Sequence, residues 1–152
     1  LTIDQSAQLL TPPVAAAVMS PWSDLTLSGT SMTTRAAVEP IFTRATLQAL
    51  ADNYLQGHPA DDPKASPLFA SLSRFPPIRI DVGDDEVLLD DASRFAERLR
   101  VANVPVEYNV WKGMPHAFQV ALPGAVASRQ SVDAIGVFLR QVLLNPNSAP
   151  DC

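Results

Sequence analysis

Two short stretches carry side chains suited to proton chemistry: the acidic run Asp84-Asp85-Glu86 and the histidine of Gly113-Met114-Pro115-His116. A carboxylate that orients an imidazole, and an imidazole that takes and returns a proton, are two of the three parts of a nucleophile–histidine–acid triad. The candidate acid is Glu86, with Asp85 as a rival one residue earlier, and the candidate base is His116. They lie about 30 residues apart, the length of one βαβ unit.

The residues between and before them have the pattern needed to position them. Ile78-Arg79-Ile80-Asp81-Val82 reads as a strand that ends at Gly83. From Leu89 the apolar residues Leu89, Ala92, Ala96 and Leu99 recur at the spacing of one helical face. Val104 to Trp111 is β-branched and aromatic, a second strand, and the glycine–proline turn leads away from it to His116. A strand–helix–strand crossover makes its two strands parallel. Both candidate residues then fall in loops at the carboxyl ends of strands, the edge where such sheets bind ligands.

The rest of the chain extends this plan. Leu1 to Pro13 reads as the tail of a helix and a linker, and Val14 to Met19 as a strand buried on both faces. Thr26 to Thr34 reads as a loop, and Thr46 to Leu55 as a helix with Leu47, Leu50, Ala51 and Tyr54 on one side. Gly57 to Pro67 is a proline-rich loop in which His58 is a surface residue, and Ser66 caps a short helix running to Leu72. After Pro123-Gly124 comes an amphipathic helix that buries Val132, Ile135, Phe138, Leu139, Val142 and Leu143 and stops at Asn145-Pro146-Asn147. The expected fold class is therefore α/β, with about three parallel strands alternating with at least three helices. Three strands make a narrow sheet for a self-sufficient domain.

Composition excludes several functions. The chain has 152 residues, 47% apolar and 18% charged, an ordinary globular balance. A net charge of −5 argues against a nucleic-acid surface. No apolar run reaches the roughly 20 residues of a transmembrane helix. The single cysteine, Cys152, allows no internal disulfide, which points to a reducing, cytoplasmic setting. The acidic clusters have no cysteine or second histidine nearby, so a metal site is not the favoured reading. Asp90 and Asp91 suit the first turn of a helix. Trp22 and Trp111 are read as packing residues.

Four segments together resemble the C-terminal half of an α/β-hydrolase of the hormone-sensitive lipase family, the bacterial esterase branch. They are Ser20-Pro21-Trp22-Ser23-Asp24-Leu25; Asp62-Pro63-Lys64-Ala65-Ser66-Pro67-Leu68 followed by Phe75-Pro76-Pro77; Glu86-Val87-Leu88-Leu89-Asp90-Asp91; and Gly113-Met114-Pro115-His116-Ala117-Phe118. The resemblance covers roughly Val14 to Leu143 and implies the C-terminal part of an α/β-hydrolase fold. It also implies hydrolysis of small-molecule esters through an acyl-enzyme, without metal or organic cofactor. Glu86 takes the place of the family's acid, usually aspartate, and His116 that of its histidine.

The family's nucleophile elbow, Gly-x-Ser-x-Gly, has no match here, and in that family it precedes the acid and the histidine. Gly29-Thr30-Ser31-Met32 resembles the serine segment of subtilisin-like proteases, but its order relative to acid and histidine is reversed, and it reads as loop. The chain opens at Leu1 rather than methionine. The expectation is a partial domain over residues 1–152 whose nucleophile-bearing half is elsewhere, inactive alone. The alternatives are a fragment of a prolyl-oligopeptidase-like serine peptidase, or a non-catalytic half that associates with itself as a homodimer or with a partner.

Overall fold

The computed structural model describes residues 13–144. Three strands, β1 (Ala16–Met19), β2 (Ile78–Gly83) and β3 (Val106–Trp111), form one parallel sheet in the order β1-β2-β3. Ala16 pairs with Ile78, and Ile78 with Val106. Around them lie α1 (Ser31–Thr34), α2 (Arg44–Leu55), a 3₁₀ turn (Pro67–Phe69), α3 (Leu89–Val101), α4 (Phe118–Ala121) and α5 (Val126–Leu144). No helix among the described residues is long and apolar enough to cross a membrane.

The alternation in β2 explains its central place. Ile78, Ile80 and Val82 point to one face, where they pack with Ala92, Phe95, Ala96 and Leu99 of α3. Arg79 and Asp81 point to the other, where Arg79 Nε and Nη2 donate to Asp81, at 2.7 and 3.0 Å, and Nη1 donates to Glu107 at 2.6 Å. Trp111 Nε1 also donates to Asp81, and the indole rests on Phe118 of α4. Helices therefore cover both faces, with α3 against β2 and β3 and α5 against β1 and β2.

Several expectations need correction. The first strand begins at Ala16 rather than Val14, because pairing with β2 starts there, and it is not buried on both faces: Ala16 to Val18 are half-buried and Met19 is 43% exposed. It is an edge strand. The loop expected over Thr26 to Thr34 contains the single turn α1. α2 starts at Arg44, since Thr43 caps it through a reciprocal bond pair with Thr46, and its buried stripe is Leu47, Ala51 and Leu55, leaving Leu50 and Tyr54 outward. Ser66 does stand at the N-cap position of a short helix, the 3₁₀ turn, which ends at Phe69 rather than Leu72, but its hydroxyl does not cap it: the hydroxyl donates to Ala60 O and accepts from Leu25 N, tying two loops together. On α5 only Phe138 and Val142 of the expected face are fully buried, with Ser128 and Ser131, while Val132 and Leu143 are exposed. The serines are buried because both find partners, the single Ser128 hydroxyl proton lying within reach of both Phe118 O and Leu122 O and Ser131 Oγ accepting from Gln119. The residues of the expected linker at 1–12 and stop at 145–147 lie outside the described residues.

Candidate active site

The carboxyl ends of the three strands meet at one edge of the sheet. β1 ends at Met19 and leads into Ser20, β2 runs into the acidic loop 84–88, and β3 runs into the loop 112–117 that carries His116. Gly83 is where the last two loops touch. A Cβ there would lie 1.9 Å from Met114 O and 2.9 Å from Pro115 O, so only glycine lets the histidine loop fold down onto β2. Backbone bonds then tie the loops: Asp84 N donates to Trp111 O, and Asp85 N to Met114 O, each at 3.1 Å. Gly113, at φ 70°, donates its N–H to the Asp84 carboxylate.

The result brings Glu86 to His116. Nδ1 of the imidazole lies 3.3 Å from Oε2 of Glu86, whose side chain is wholly buried, while His116 keeps 19% of its side-chain surface. Neither Nδ1 nor the carboxylate oxygens have the alignment of a good hydrogen bond here; contacts of this kind often tighten only when substrate is bound. Burial pushes the Glu86 carboxyl above its usual range, and the nearby Glu39 charge adds to this; His116 and the Ser20 hydroxyl work against it. Among the described residues nothing is hydrogen-bonded to Nε2 of His116. An imidazole backed by a buried carboxylate, with its other nitrogen free, can receive a proton at Nε2 and keep the resulting charge close to an anion.

Asp85 is the outer neighbour: its backbone N–H is engaged by Met114 O, and Glu86 is the acid that reaches the imidazole. Asp90 and Asp91 do helix and loop work. Asp91 accepts the N–H groups of Ser23 and Asp24 at 2.9 and 2.8 Å, and burial raises its carboxyl to about 7. Asp24, in turn, accepts from Thr26, Ser28 and Arg94; burial would raise it, but those bonds hold it below the ordinary range. Ser31 is buried, donating to Val87 O and accepting from Asp90 N, so the serine of Gly29-Thr30-Ser31-Met32 braces the acidic loop rather than facing His116. His58 is exposed, and Trp22 packs between two apolar clusters. Among the described residues no group of three or more His, Cys, Asp or Glu is placed to hold a metal.

Three residues at the site escape a reading of the sequence. Phe42 packs edge-on against His116, with ring centroids 5.0 Å apart. Glu39 sets Phe42 there, its carboxylate accepting the N–H groups of Ile41, Phe42 and Val87. Ser20 accepts the N–H of Ala117. Phe42 and Glu39 lie in a loop with no periodicity; Ser20 stands in a segment quoted above only for its resemblance.

Known proteins share this arrangement of chain. A model of the family described as alpha/beta hydrolase fold matches residues 1–120. The chain is 38% identical to an acetyl-hydrolase of Streptomyces hygroscopicus over 128 residues, 84% of this chain and 43% of that protein. It is 33% identical to an esterase of Acinetobacter venetianus over 139 residues, 91% of this chain and 45% of that protein. A solved esterase from the bacterial hormone-sensitive lipase family is similar at a TM-score of 0.84 and 37% identity, covering 86% of this chain and 44% of that one. The chain spans less than half the length of each of them.

Proposed function

Because this chain belongs to the α/β hydrolase fold family, we propose that it supplies the acid and the base, Glu86 and His116, of a carboxylic ester hydrolase. The observation that carries this reading is the 3.3 Å approach of a buried carboxylate to the imidazole at the carboxyl ends of the parallel strands. The nucleophilic serine is supplied by polypeptide outside this chain, and the chain alone does not turn over esters. In the assembled site Nε2 of His116 takes the serine proton as the serine oxygen attacks the acyl carbon. The same proton passes to the alkoxide as the ester C–O bond breaks, leaving an acyl-enzyme and free alcohol. Water then repeats the sequence, giving the carboxylic acid and the serine hydroxyl. Glu86 holds the proton of the neutral ring on Nδ1 and offsets the imidazolium charge.

The test joins this chain to the nucleophile-bearing half of one of its esterase relatives and follows p-nitrophenyl ester hydrolysis and fluorophosphonate labelling. The joined protein is expected to label at the supplied serine and to lose at least about a thousandfold of turnover in His116→Ala. Retained turnover in that variant, or labelling of the isolated chain on one of its own serines, would overturn the assignment.

The open edge of β1 favours a second reading, a non-catalytic half that pairs with a second copy. Ala16 N and Ser20 N donate inward to Pro77 O and Asp81 O, so by alternation the N–H groups of Ala17 and Met19 face outward, with no backbone partner among the described residues. A concentration-dependent dimer in light scattering, with no hydrolysis after joining, would favour it.

A further inference from the structure

The two loops that carry Glu86 and His116 share a support that belongs to neither. Ser20, the residue after β1, is 3% exposed and sits at φ 48°, a left-handed conformation unusual for a residue with a Cβ. Its N–H is held by Asp81 O at 2.8 Å, which aims the side chain across the end of β2. There Oγ accepts the N–H of Ala117, the residue following His116, at 2.9 Å. Ala117 is itself left-handed at φ 48° and is the residue on which the chain turns into α4.

A serine hydroxyl that accepts one bond still has its own proton to donate, and that proton rotates to suit its neighbours. Beside it lies the fully buried Glu86 carboxylate, which lacks a well-aligned hydrogen bond to either oxygen among the described residues. A buried anion in that state is costly unless donors are supplied. We propose that Ser20 is a positioning residue for the pair: its hydroxyl donates to the Glu86 carboxylate while accepting the Ala117 N–H, so that one side chain orients the acid and seats the histidine loop. Glu86 is kept ionised and turned towards Nδ1, and His116 is kept within its reach. The inference rests on the reading of Glu86 and His116 as a proton-handling pair.

The experiment uses the chain itself, with carboxyl-¹³C and imidazole-¹⁵N NMR, and needs no turnover. Ser20→Gly removes the hydroxyl while suiting the positive φ, so the fold is expected to persist; Ser20→Ala removes the hydroxyl and keeps the Cβ. In both, the Glu86 titration midpoint is expected to rise by about one pH unit, and the Ala117 amide to exchange with solvent about tenfold faster, a loss of one ordinary hydrogen bond. A serine that merely ties the loop would speed exchange at Ala117 and leave the Glu86 midpoint in place; that result overturns the proposal, as does an unchanged Ala117 amide. Glu86→Ala separates this from the parent reading. If it leaves the tautomer of His116 unaltered, the acid–base pairing itself fails; if it shifts the tautomer while Ser20→Gly leaves Glu86 unmoved, only the role of Ser20 fails.

Discussion

Replacing Gly83 by alanine asks how tightly the histidine loop is seated on β2. The new Cβ would stand 1.9 Å from Met114 O, with Met114 C at 2.7 Å and Pro115 O at 2.9 Å, and all three are backbone atoms that cannot swing aside. An unstrained carbon–oxygen contact needs about 3.3 Å, so the loop must retreat by roughly 1.4 Å. Overpacking of this kind costs about 1–3 kcal/mol. The Asp85 N to Met114 O bond, at 3.1 Å, breaks with it and adds about 1 kcal/mol. If the whole retreat falls along the line from Nδ1 to Oε2, their 3.3 Å separation grows to about 4.7 Å. At an effective dielectric near 20 that weakens the attraction between Glu86 and an imidazolium by roughly 1.5 kcal/mol, about tenfold in the rate of a reaction that passes through one. Urea denaturation measures the first part, with Gly136→Ala as control, since nothing lies within 4 Å of a Cβ at that helical position. The control should gain about 0.5–1 kcal/mol, and Gly83→Ala should lose about 2–4 kcal/mol. A Gly83→Ala protein within about 0.5 kcal/mol of the parent would refute the reasoning, because a change of that size is what an uncrowded surface position gives.

Two further outcomes follow from buried charge. Asp91 has its carboxyl raised to about 7 in the folded chain against 3.8 in the unfolded one, chiefly by burial. The folded state therefore binds that proton more tightly, and its contribution is full below about pH 4, falls as pH rises towards 7, and is flat above. The loss is on the order of 4 kcal/mol. Between pH 5 and 8 Asp24, with its lowered pKa, stays ionised and adds no slope. Glu86, also raised by burial, adds a slope of the same sign. Asp91→Asn keeps an acceptor for the Ser23 and Asp24 N–H groups and should reduce the slope in the urea midpoint over that range, leaving the part due to Glu86; a variant with the parent's full slope, or a parent protein as stable at pH 8 as at pH 5, would contradict this. Arg79→Ala leaves Asp81, buried, without its guanidinium partner and should cost about 3–5 kcal/mol in urea denaturation. Arg79→Ala combined with Asp81→Ala should recover part of that; a double variant no better than the single would show that the charge pairing is not what Arg79 contributes.

Local pattern was enough for the plan of the molecule. The alternation in Ile78 to Val82, the helical spacing from Leu89 to Leu99 and the β-branched run to Trp111 depend only on which face of a short segment prefers to leave water. From them followed the α/β class, the parallel pairing and the placing of Glu86 and His116 at one edge. Pattern was weaker where the neighbours of an element decide its burial. Val14 to Met19 has the composition of a central strand yet lies at the edge, because nothing among the described residues pairs beyond it. Val132 and Leu143 have a buried residue's chemistry, but the face of α5 that meets the sheet also takes in Ser128 and Ser131, whose hydroxyls find partners.

What only the tertiary structure decided were the polar contacts across the chain. Glu86 rather than Asp85 reaches the imidazole because of how the loop after Gly83 bends against Met114, which no one-dimensional spacing reports. Ser20 meets Ala117, and Ser23 and Asp24 meet Asp91, from positions far apart in the sequence. A hydroxyl or carboxylate looks alike in the sequence whether it is solvated on a surface or buried with partners. Hydrophobic periodicity is a property of one segment, whereas the bond that satisfies a buried polar group is chosen only when two segments have been brought together.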